Sequence, residues 1–336
     1  MYDRLEAYFG LVPGQISAML GRSATLNYTM RMTRRPTRLV RKRRVRRRAR
    51  VTWEPCDELK IIQRKIRDRI ESRFQPHEIA HGYVKGRSII TAARPHVCKA
   101  FLLHIDIRNF FGSIDETVVF EHLKKLFHGF DDYDIKALTK LCCHRGCLSF
   151  GAPISPILSN LICSQFDEEI YSLAKLYQCA VTRYVDDICF STTATTLPAE
   201  LAERKVNGSI ELGESLRSVF RYYDFEINFT KVKIQPRTAI QKMTGIVVNR
   251  KLNVPQEFYD GIRCALHRWE KFGIDAAIPR HQPHFDGERF SRSLGVRIGH
   301  LGKVTGKDSR RYRGLMSRYR MLLMRDRSNP TPRITA

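Results

Sequence analysis

The sequence contains no long apolar run and no secretory leader pattern. No stretch reaches the roughly 18 consecutive apolar residues that a membrane-spanning helix requires. The first residues, MYDRLEAYFG, lack the basic and then apolar order of a signal peptide. The nine cysteines are odd in number and scattered, which is typical of free thiols in a reducing cytosol. We therefore expect a cytoplasmic protein with no membrane partner.

A cysteine-based metal site is also incomplete in the sequence. Cys142, Cys143, His144 and Cys147 have the residue types of a zinc site, but a second ligand pair at a recognisable spacing is missing. Free cysteine commonly packs as a small hydrophobic residue, so we favour buried side chains over a zinc site here.

Acidic residues are scarce relative to basic ones. Lys and Arg number 59 against 34 Asp and Glu, which gives the 336-residue chain a formal net charge of +25 and a pI near 10.0. The hydrophobic fraction of 43% is ordinary for a globular protein. The positive excess therefore predicts a polyanionic partner, and we expect nucleic acid rather than an acidic membrane.

One segment, residues 31–50, contains twelve Arg or Lys and no acid. A block with this charge cannot pack against itself. Two structures remain open for it: a disordered basic arm, or a hairpin or helix that phosphates order. In the second case Arg43, Arg44 and Arg47 would contact RNA.

The hydrophobic pattern predicts alternating helices and strands. Helices are expected in the first thirty residues and over 57–74, 115–127, 131–142, 157–176, 199–223, 258–272 and 290–325. Extended segments are expected over 100–107, 180–190, 226–235, 243–249 and 251–255. This order favours an α+β fold in which helices cover an antiparallel sheet.

Three aspartates are the strongest candidates for chemistry. Tyr184-Val185-Asp186-Asp187 lies between two apolar strands, and Asp106 ends another strand 80 residues earlier. Taken singly, each acidic position is equally well explained as a solvated turn or a helix cap. If the strands are neighbours, the acids meet at one edge and repel one another unless a divalent cation binds. Mg²⁺ prefers such carboxylates, and paired ions support phosphoryl transfer.

These residues resemble the motifs of reverse transcriptases. The Tyr184–Asp187 box is similar to the active-site motif, and the run from Asp106 to Phe111 is similar to the first acidic motif. The loop from Gly151 to Pro156, followed by Leu158-Ser159-Asn160, is similar to the loop that positions template and nucleotide. Arg50 and Pro55, with Leu59-Lys60 and Gln63-Arg64 beyond, resemble the fingers motif.

Within that family the sequence is most similar to bacterial retron reverse transcriptases. The retron-like segments are His81 to Ile89, Ala93 to His96, Met243 to Gly245, and Asn253 to Pro255. The resemblance covers about residues 45–320. It implies a right-hand polymerase with fingers, palm and helical thumb. The implied division is 1–30 amino-terminal helical segment, 31–99 fingers with the basic segment, 100–250 palm with a fingers insertion near 115–150, 251–325 RNA-binding thumb, and 326–336 disordered tail.

The resemblance also implies residue roles. Asp106, Asp186 and Asp187, with the Ile107 carbonyl, would hold two Mg²⁺ ions. Phe111 would be the aromatic gate against a ribose 2′-OH. The implied nucleotide contacts are Arg50 on the triphosphate, Phe111, Phe150, Gly151, and Tyr184 near the primer end. The implied RNA contacts are Arg43, Arg44, Arg47, His96, Thr244, Gly245, Arg310, Arg311 and Arg313.

Three features depart from the family pattern. Phe150 stands where a Gln is usual, Ala92 stands where retrons have an Asn, and a basic run replaces the Gly-rich tip of the fingers hairpin. None of these changes removes a predicted metal ligand, so we expect the enzyme to be active.

The retron resemblance implies a particular reaction. Such an enzyme copies part of its own structured noncoding RNA into single-stranded DNA, primed from a guanosine 2′-OH, and the product is branched RNA–DNA (msDNA). The implied partners are that RNA, its DNA product, dNTPs and a separate effector protein in antiphage defence. Two alternatives remain open. One is a group II intron or diversity-generating reverse transcriptase, although the lack of a maturase or endonuclease extension disfavours the intron type. The other is a catalytically weak RNA-binding scaffold.

Overall fold

A computed structural model of the chain describes residues 2–22, 24–33, 38–40, 43–45, 50–279 and 286–328. For residues 24–25, 38–40, 43–45, 50 and 327–328 it describes the backbone alone. Arg47 and most of the predicted disordered tail lie outside these ranges. The chain divides into two compact units, Met1–Ser88 with Leu103–Ile234, and Ile89–Leu102 with Gln235–Ala336. Within the described ranges, no helix has the length and apolar character needed to cross a membrane.

The helices are α1 Asp3–Phe9, α2 Gln15–Gly21, α3 Ala24–Asn27, α4 Asp57–Glu71, α5 Ile89–Ala93, α6 Glu116–Leu126, α7 Asp132–Cys142, α8 Ser155–Ile162, α9 Ser164–Leu176, α10 Glu214–Tyr222, α11 Gln256–Ala277, α12 Gly287–Thr305 and α13 Arg310–Ser328. The strands are β1 Tyr28–Thr33, β2 Arg38–Val40, β3 Arg43–Val45, β4 Arg50–Pro55, β5 Phe101–Asp106, β6 Ala180–Tyr184, β7 Asp187–Thr192, β8 Ala202–Arg204, β9 Ile210–Leu212, β10 Lys233–Pro236, β11 Lys242–Met243 and β12 Ile246–Val247. Short 3-10 turns cover Arg94–His96 and Phe110–Ser113.

A four-stranded sheet carries the predicted acids. Its strand order is β10-β5-β7-β6, and β6 and β7 form an antiparallel hairpin in which Tyr184 lies opposite Asp187. The interior positions of β5 and β7 are buried, as their apolar sequences predict. Immediately after β5, the Ile107 N–H donates to the Asp186 carbonyl over 2.9 Å. The end of β5 and the β6–β7 turn therefore meet at one edge, as expected.

Amphipathic helices cover this sheet in the first unit. Leu59, Ile62, Ile66 and Ile70 of α4 are all buried, which confirms the predicted apolar face. Helices α6 and α7 begin where they were predicted because Asp115 and Asp131 cap them, each carboxylate accepting a backbone N–H in the first turn. The resulting α+β architecture confirms the predicted fold class.

Four secondary-structure predictions were wrong in detail, and one of them is the helix expected over 290–325, which is divided into α12 and α13. Residues 199–223 are not one helix but the β8–β9 hairpin followed by α10. The overlooked signal was Asn207-Gly208, a dipeptide typical of tight hairpin turns, and Gly208 has φ of +82°. The helix predicted for 157–176 is divided at Cys163 into α8 and α9. Strand structure over 226–235 is limited to the start of β10 and one bridge between Ile107 and Ile227.

The basic segment contains strands rather than a helix where it is described. β2 and β3 pair antiparallel, with Val40 opposite Arg43, and β1 pairs with β4, with Thr33 opposite Arg50. The backbone therefore follows the hairpin alternative. Arg43 and Arg44 lie on β3 and Arg50 begins β4, but their side chains are outside the described structure.

The second unit is mostly helical, as predicted. Helices α11, α12 and α13 pack on one another around Trp269, which is fully buried and whose indole N–H donates to Asp326 over 2.7 Å. β11 and β12 form a short hairpin, and Val247 bridges to Asn253. The predicted division of the chain into fingers, palm and thumb remains a prediction.

Candidate active site

The turn between β6 and β7 has a strained backbone. Val185 has φ of +64°, in the left-handed region that β-branched residues rarely adopt. Gly82 lies directly against this residue: a Cβ at that glycine would come within 2.6 Å of Val185 Cγ2 and 2.7 Å of its amide nitrogen. Only glycine allows such a close approach, which explains its place in the His81–Ile89 segment.

A buried arginine holds the strained turn in place. Arg183 has only 1% of its side chain exposed and donates two hydrogen bonds to Asp167, each 2.6 Å long. Its third contact is with the Val185 carbonyl at 3.0 Å, and its fourth is with Asn160 Oδ1 at 3.1 Å. Asn160 in turn donates to the Gly82 carbonyl over 3.1 Å. The guanidinium thus ties the turn to α8, α9 and the glycine segment.

The three predicted carboxylates come together at this edge. Asp106 is 13% exposed and Asp187 is 29% exposed, so both are partly shielded from water. The pKa of Asp186 is raised, first because the carboxyl is buried and next because the negative charges of Asp106 and Asp187 are close to it. The bond from Ile107 to Asp186 and the pairing of Tyr184 with Asp187 place the three acids at the same edge of the sheet.

Two side chains from the segment before β10 contact Asp106, one of them cationic (Lys231) and the other neutral (Asn228). Lys231 Nζ lies 2.7 and 2.6 Å from its two carboxylate oxygens, and Asn228 Nδ2 donates to Oδ1 over 3.0 Å. The backbone N–H of Asn228 also donates to the backbone carbonyl of Asp106 over 2.8 Å. The sequence patterns do not mark these two residues, which a backbone bond from the Lys231 N–H to the Asn228 carbonyl joins in a tight turn.

A histidine approaches the same site from β5. His104 Nδ1 lies 3.7 Å from Asp187 Oδ1, and the imidazole is almost fully buried. Burial disfavours the imidazolium, but the neighbouring Cys189 and Asp187 outweigh it and raise the pKa of His104. The imidazolium therefore partly balances the negative charge of Asp187.

The donor set at this edge fits a hard divalent cation. Carboxylate oxygens are the ligands that Mg²⁺ prefers, and burial together with the charge of Asp106 raises the pKa of Asp186. As the described side chains are placed, no three His, Cys, Asp or Glu groups are close enough to enclose an ion, and Lys231 takes both oxygens of Asp106. Asp106, Asp186 and Asp187 are the groups that would hold such a cation. The role of the Ile107 carbonyl remains a prediction.

Three of the predicted nucleotide contacts, Phe111, Phe150 and Gly151, lie around the 149–151 loop, whereas Tyr184 lies in the β6–β7 hairpin. Phe111 is 2% exposed and packs edge-on against Phe150, with ring centroids 4.7 Å apart. Gly151 has φ of +104°, and a Cβ there would lie 3.1 Å from the Trp53 carbonyl. The Trp53 N–H donates to the Phe150 carbonyl over 3.1 Å, so β4 holds this loop. Phe150 stands where the family usually has a Gln. Its ring packs against Phe111 and offers no polar group at this position.

The remaining predicted RNA contacts lie in the second unit. Thr244 and Gly245 both have positive φ and form the two-residue turn of the β11–β12 hairpin. Arg310, Arg311 and Arg313 are exposed on the first turns of α13, and the Arg311 guanidinium lies 4.9 Å from the Tyr259 ring centroid. His96 is fully buried, so direct contact with RNA would require its side chain to become exposed.

The cysteine cluster belongs to the core rather than to this site. Cys142 is fully buried and Cys143 nearly so, and burial raises the pKa of Cys143 to about 12. Thiols with such values remain protonated near neutral pH and pack as small hydrophobic side chains. His144, between them and Cys147, packs against aromatic rings of β1 and β4.

Comparison with known proteins identifies the family of this chain. A family model described as reverse transcriptase (RNA-dependent DNA polymerase) matches residues 40–248, more than half of the chain. The chain belongs to this family. It is 32% identical over 229 residues to the retron Ec86 reverse transcriptase of Escherichia coli, and the alignment covers 68% of each protein. It is 31% identical over 258 residues to the retron Mx65 reverse transcriptase of Myxococcus xanthus, covering 71% of this chain and 56% of the relative.

These relatives confirm the predicted retron-type reverse transcriptase, and the enzyme is an RNA-directed DNA polymerase. The chain spans about two-thirds of the Escherichia coli relative and just over half of the Myxococcus xanthus one. Among solved structures, a telomerase of Candida albicans solved with a fragment of telomeric RNA is similar over 93% of this chain and 68% of its own. The identity is 10% and the TM-score 0.46, values too low to support a functional conclusion.

Lys231 is expected to compete with a divalent cation for Asp106. The ammonium is about half exposed, so its attraction to the carboxylate has the strength of a solvent-screened pair, about 1 kcal/mol. Removing it in Lys231→Ala should therefore tighten Mg²⁺ binding about fivefold. The measurement is a titration of the melting temperature with Mg²⁺.

The matched control for this prediction is Lys233→Ala. Lys233 is exposed two residues further along and carries the same charge, so this variant should titrate like the wild type. Equal Mg²⁺ affinity in wild type and Lys231→Ala would show that the ammonium does not compete with the cation.

Proposed function

We propose that this protein is a retron reverse transcriptase that copies part of its own structured noncoding RNA into single-stranded DNA. Synthesis starts from a guanosine 2′-OH, so the product is branched RNA–DNA, and the system acts in antiphage defence with a separate effector in the cytoplasm. The observation that carries the proposal is the meeting of Asp106, Asp186 and Asp187 at one sheet edge, in a chain whose relatives are retron reverse transcriptases.

The chemistry proposed for this edge is phosphoryl transfer. Two bound Mg²⁺ ions would activate the attacking hydroxyl and stabilise the leaving oxygen. Asp106, Asp186 and Asp187 supply the negative charge that holds them. Arg183 keeps the Val185 carbonyl and the turn in a fixed position, so the Asp186 and Asp187 carboxylates do not have to be ordered during each cycle.

The residues around the 149–151 loop would select the incoming nucleotide. Phe111 would exclude a ribose 2′-OH by its bulk, and Phe150 would keep that ring in position from its edge. Gly151 would let the backbone approach the incoming dNTP. Arg50, at the start of β4, would bind the triphosphate, since a guanidinium binds phosphate oxygens bidentately.

Recognition of the structured RNA is proposed for basic and turn residues. The RNA-binding set consists of Arg43, Arg44, Arg47, His96, Thr244, Gly245, Arg310, Arg311 and Arg313. Double-stranded RNA is read mainly through its shape, its phosphates and its 2′-hydroxyls, so the exposed arginines of α13 suit this task. The proposed division remains fingers over 31–99, palm over 100–250 and thumb over 251–325.

The nucleic acid that copurifies with the protein tests the proposal. The gene would be expressed with its flanking DNA, and the bound nucleic acid would be treated with ribonuclease and, separately, with an enzyme that cleaves 2′,5′ branches. We expect DNA whose mobility changes after debranching. RNA without attached DNA would favour a scaffold, and unbranched DNA would favour another type of reverse transcriptase. Preparations of an Asp186→Asn variant should retain the RNA and lack the DNA.

A further inference from the structure

Two arginines and a tyrosine form a cluster on the surface of the first unit. Arg69 is in the last turn of α4, and Arg73 is in the turn that follows this helix. Both guanidiniums lie over the ring of Tyr8 on α1, at 5.1 and 5.3 Å from its centroid. These three residues are named the Tyr8 cluster, and the three carboxylates of the active site are not among them.

Core aromatic residues hold the ring of Tyr8 in place. Tyr8 packs edge-on against Phe9, Phe127 and Phe130, with ring centroids 4.9, 6.0 and 5.0 Å away. Phe9 and Phe127 are buried, so the tyrosine is anchored to the core. A guanidinium over an aromatic ring gains about 0.5–1 kcal/mol at an exposed site. The ring therefore restricts where the two guanidiniums lie before any ligand binds.

The two guanidiniums lack a carboxylate partner among the described side chains. Two acids of the same helix, Asp68 and Glu71, are bound instead by Arg67, at 2.7 and 3.6 Å. Arg69 and Arg73 are both exposed, so a large ligand can reach them. Two positive charges thus share one ring without a counter-charge, and a bound anion would relieve their repulsion.

The cluster keeps most of its hydrogen-bond donors free for a ligand. A guanidinium carries five N–H donors in one plane. Arg73 uses Nη1 for the Arg69 carbonyl and the Ser72 hydroxyl, over 3.4 and 3.2 Å. Its other N–H groups, and those of Arg69, have no acceptor in the described part of the chain. Phosphate oxygens match such a planar set of donors, because they accept two parallel hydrogen bonds from one guanidinium.

The aromatic rings of this surface are already covered by arginine. Two guanidiniums lie over Tyr8, and the Arg4 guanidinium lies over the neighbouring Phe130, 5.3 Å from its centroid. Proteins bind single-stranded nucleic acid by stacking its bases on exposed rings, whereas they bind double-stranded RNA mainly through its phosphates and its shape. Covered rings beside free guanidiniums therefore favour the backbone of a duplex over unpaired bases.

We propose that the Tyr8 cluster binds the phosphate backbone of a double-stranded segment of the RNA that this enzyme carries. The net charge of +25 and the RNA-directed activity of the family favour RNA over an acidic membrane. The contact adds affinity without reading bases, since phosphates carry no sequence information. Arg4 is not included, because Asp134 is close enough for their charges to interact. The inference rests on the proposed function only for the identity of the RNA.

The salt dependence of duplex binding tests the cluster directly. The probe is a labelled blunt RNA duplex of unrelated sequence, about two helical turns long, and its binding is measured by fluorescence anisotropy over a series of KCl concentrations. Each lost phosphate contact lowers the slope of log K against log salt by about 0.9. Arg69→Gln combined with Arg73→Gln should therefore lower the slope by about 2 and weaken duplex binding on the order of tenfold.

A control with the same loss of charge separates the cluster from the net charge of the protein. Lys205→Gln combined with Arg221→Gln also removes two positive charges, but these exposed side chains are ion-paired with Glu203 and Glu214. This double variant should keep the slope of the wild type.

A substitution of the ring tests whether it positions the guanidiniums. Tyr8→Leu keeps both charges but removes the aromatic surface beneath them, and should weaken duplex binding severalfold. Tyr8→Phe keeps the ring and should bind like the wild type. The arginine variants decide the test if Tyr8→Leu fails to fold.

Four results would overturn the proposal. The first is an unchanged slope in the Arg69 and Arg73 double variant, and the second is an equal fall in the control pair. The third is full duplex binding by a folded Tyr8→Leu variant. The fourth is a loss in the arginine variant of binding only to single-stranded RNA or to phosphatidylserine vesicles. None of these assays contains dNTPs, so their failure is distinct from a failure to find branched DNA.

Discussion

Asp186→Asn is expected to abolish DNA synthesis and, in the absence of divalent cations, to raise the melting temperature. The lost carboxylate removes charge stabilisation of several kcal/mol from phosphoryl transfer, so the rate should fall on the order of 10³-fold or more. Stability should move the other way because Asp186 is buried beside Asp106 and Asp187, and its ionised form is disfavoured in the folded protein. Primer extension and calorimetry on the same preparations measure both effects.

The pH dependence of this variant follows from the raised pKa of Asp186. In the window between the pKa of an unfolded Asp, about 3.9, and the higher folded value, the folded chain binds more protons than the unfolded chain. Wild-type stability therefore falls as pH rises through that window, and the penalty is fully present above it. The melting temperature of Asp186→Asn should exceed that of the wild type most clearly near neutral pH, and the difference should shrink in acid.

The control for the first prediction is Asp308→Asn, an exposed aspartate in the second unit. It makes the same chemical change and should alter neither synthesis nor melting. Synthesis by Asp186→Asn within tenfold of the wild type would contradict the catalytic role. A lower melting temperature at neutral pH would contradict the electrostatic description of the three acids.

The second large effect is expected at Asp167. Asp167→Ala leaves the Arg183 guanidinium buried without its counterion, since both side chains are 1% exposed or less. Breaking a buried pair in this way costs about 3–5 kcal/mol, which for a unit of this size lowers the melting temperature on the order of 10 °C. Chemical denaturation measures the free energy of unfolding directly.

A double replacement separates stability from positioning at this pair. Asp167→Leu with Arg183→Met removes both charges, and such exchanges are often neutral or stabilising. The double variant should regain most of the stability lost in Asp167→Ala. It should still polymerise slowly, because the bond from Arg183 to the Val185 carbonyl is gone and the turn keeps its strained φ without support.

The exposed pair of Glu288 and Arg292 serves as the control for Asp167. Their side chains are 78% and 71% exposed, so Glu288→Ala should change the free energy of unfolding by about 0.5 kcal/mol or less. If Asp167→Ala costs no more than Glu288→Ala, the buried pair does not hold the turn. Full activity in the stable double variant would show that the Val185 contact is dispensable.

The placement of the three acids could be predicted from the sequence because the evidence for it is local. Each acid ends or joins an apolar strand, and strand pairing alone brings Asp106 beside the turn. The contacts that complete the site are not local. Arg183 reaches Asp167 and Asn160 on helices, and Lys231 meets Asp106 across 125 positions of sequence. A single sequence does not show which of many charged residues will meet at such separations.

The predictions for the β8–β9 region and for His144 were incomplete for different physical reasons. In the β8–β9 region, a helical hydrophobic pattern was given more weight than the Asn207-Gly208 turn signal, although positive φ at Gly208 favours the turn. At His144, residue type suggested a metal site, whereas tertiary packing between Tyr28 and Trp53 decides its environment. Burial and neighbours determine what a histidine does, and neither is visible in the sequence.

The most direct test of the central claim is to locate the divalent cation on the chain. Fe²⁺ substituted for Mg²⁺ generates hydroxyl radicals that cut the backbone close to the bound ion, and mass spectrometry of the fragments gives the positions. We predict cuts near Asp106 and within Tyr184–Asp187, suppressed by excess Mg²⁺ and absent in Asp186→Asn. Cuts confined to other segments, or cuts at these positions that Mg²⁺ does not suppress, would contradict the assignment of these three aspartates as the catalytic centre.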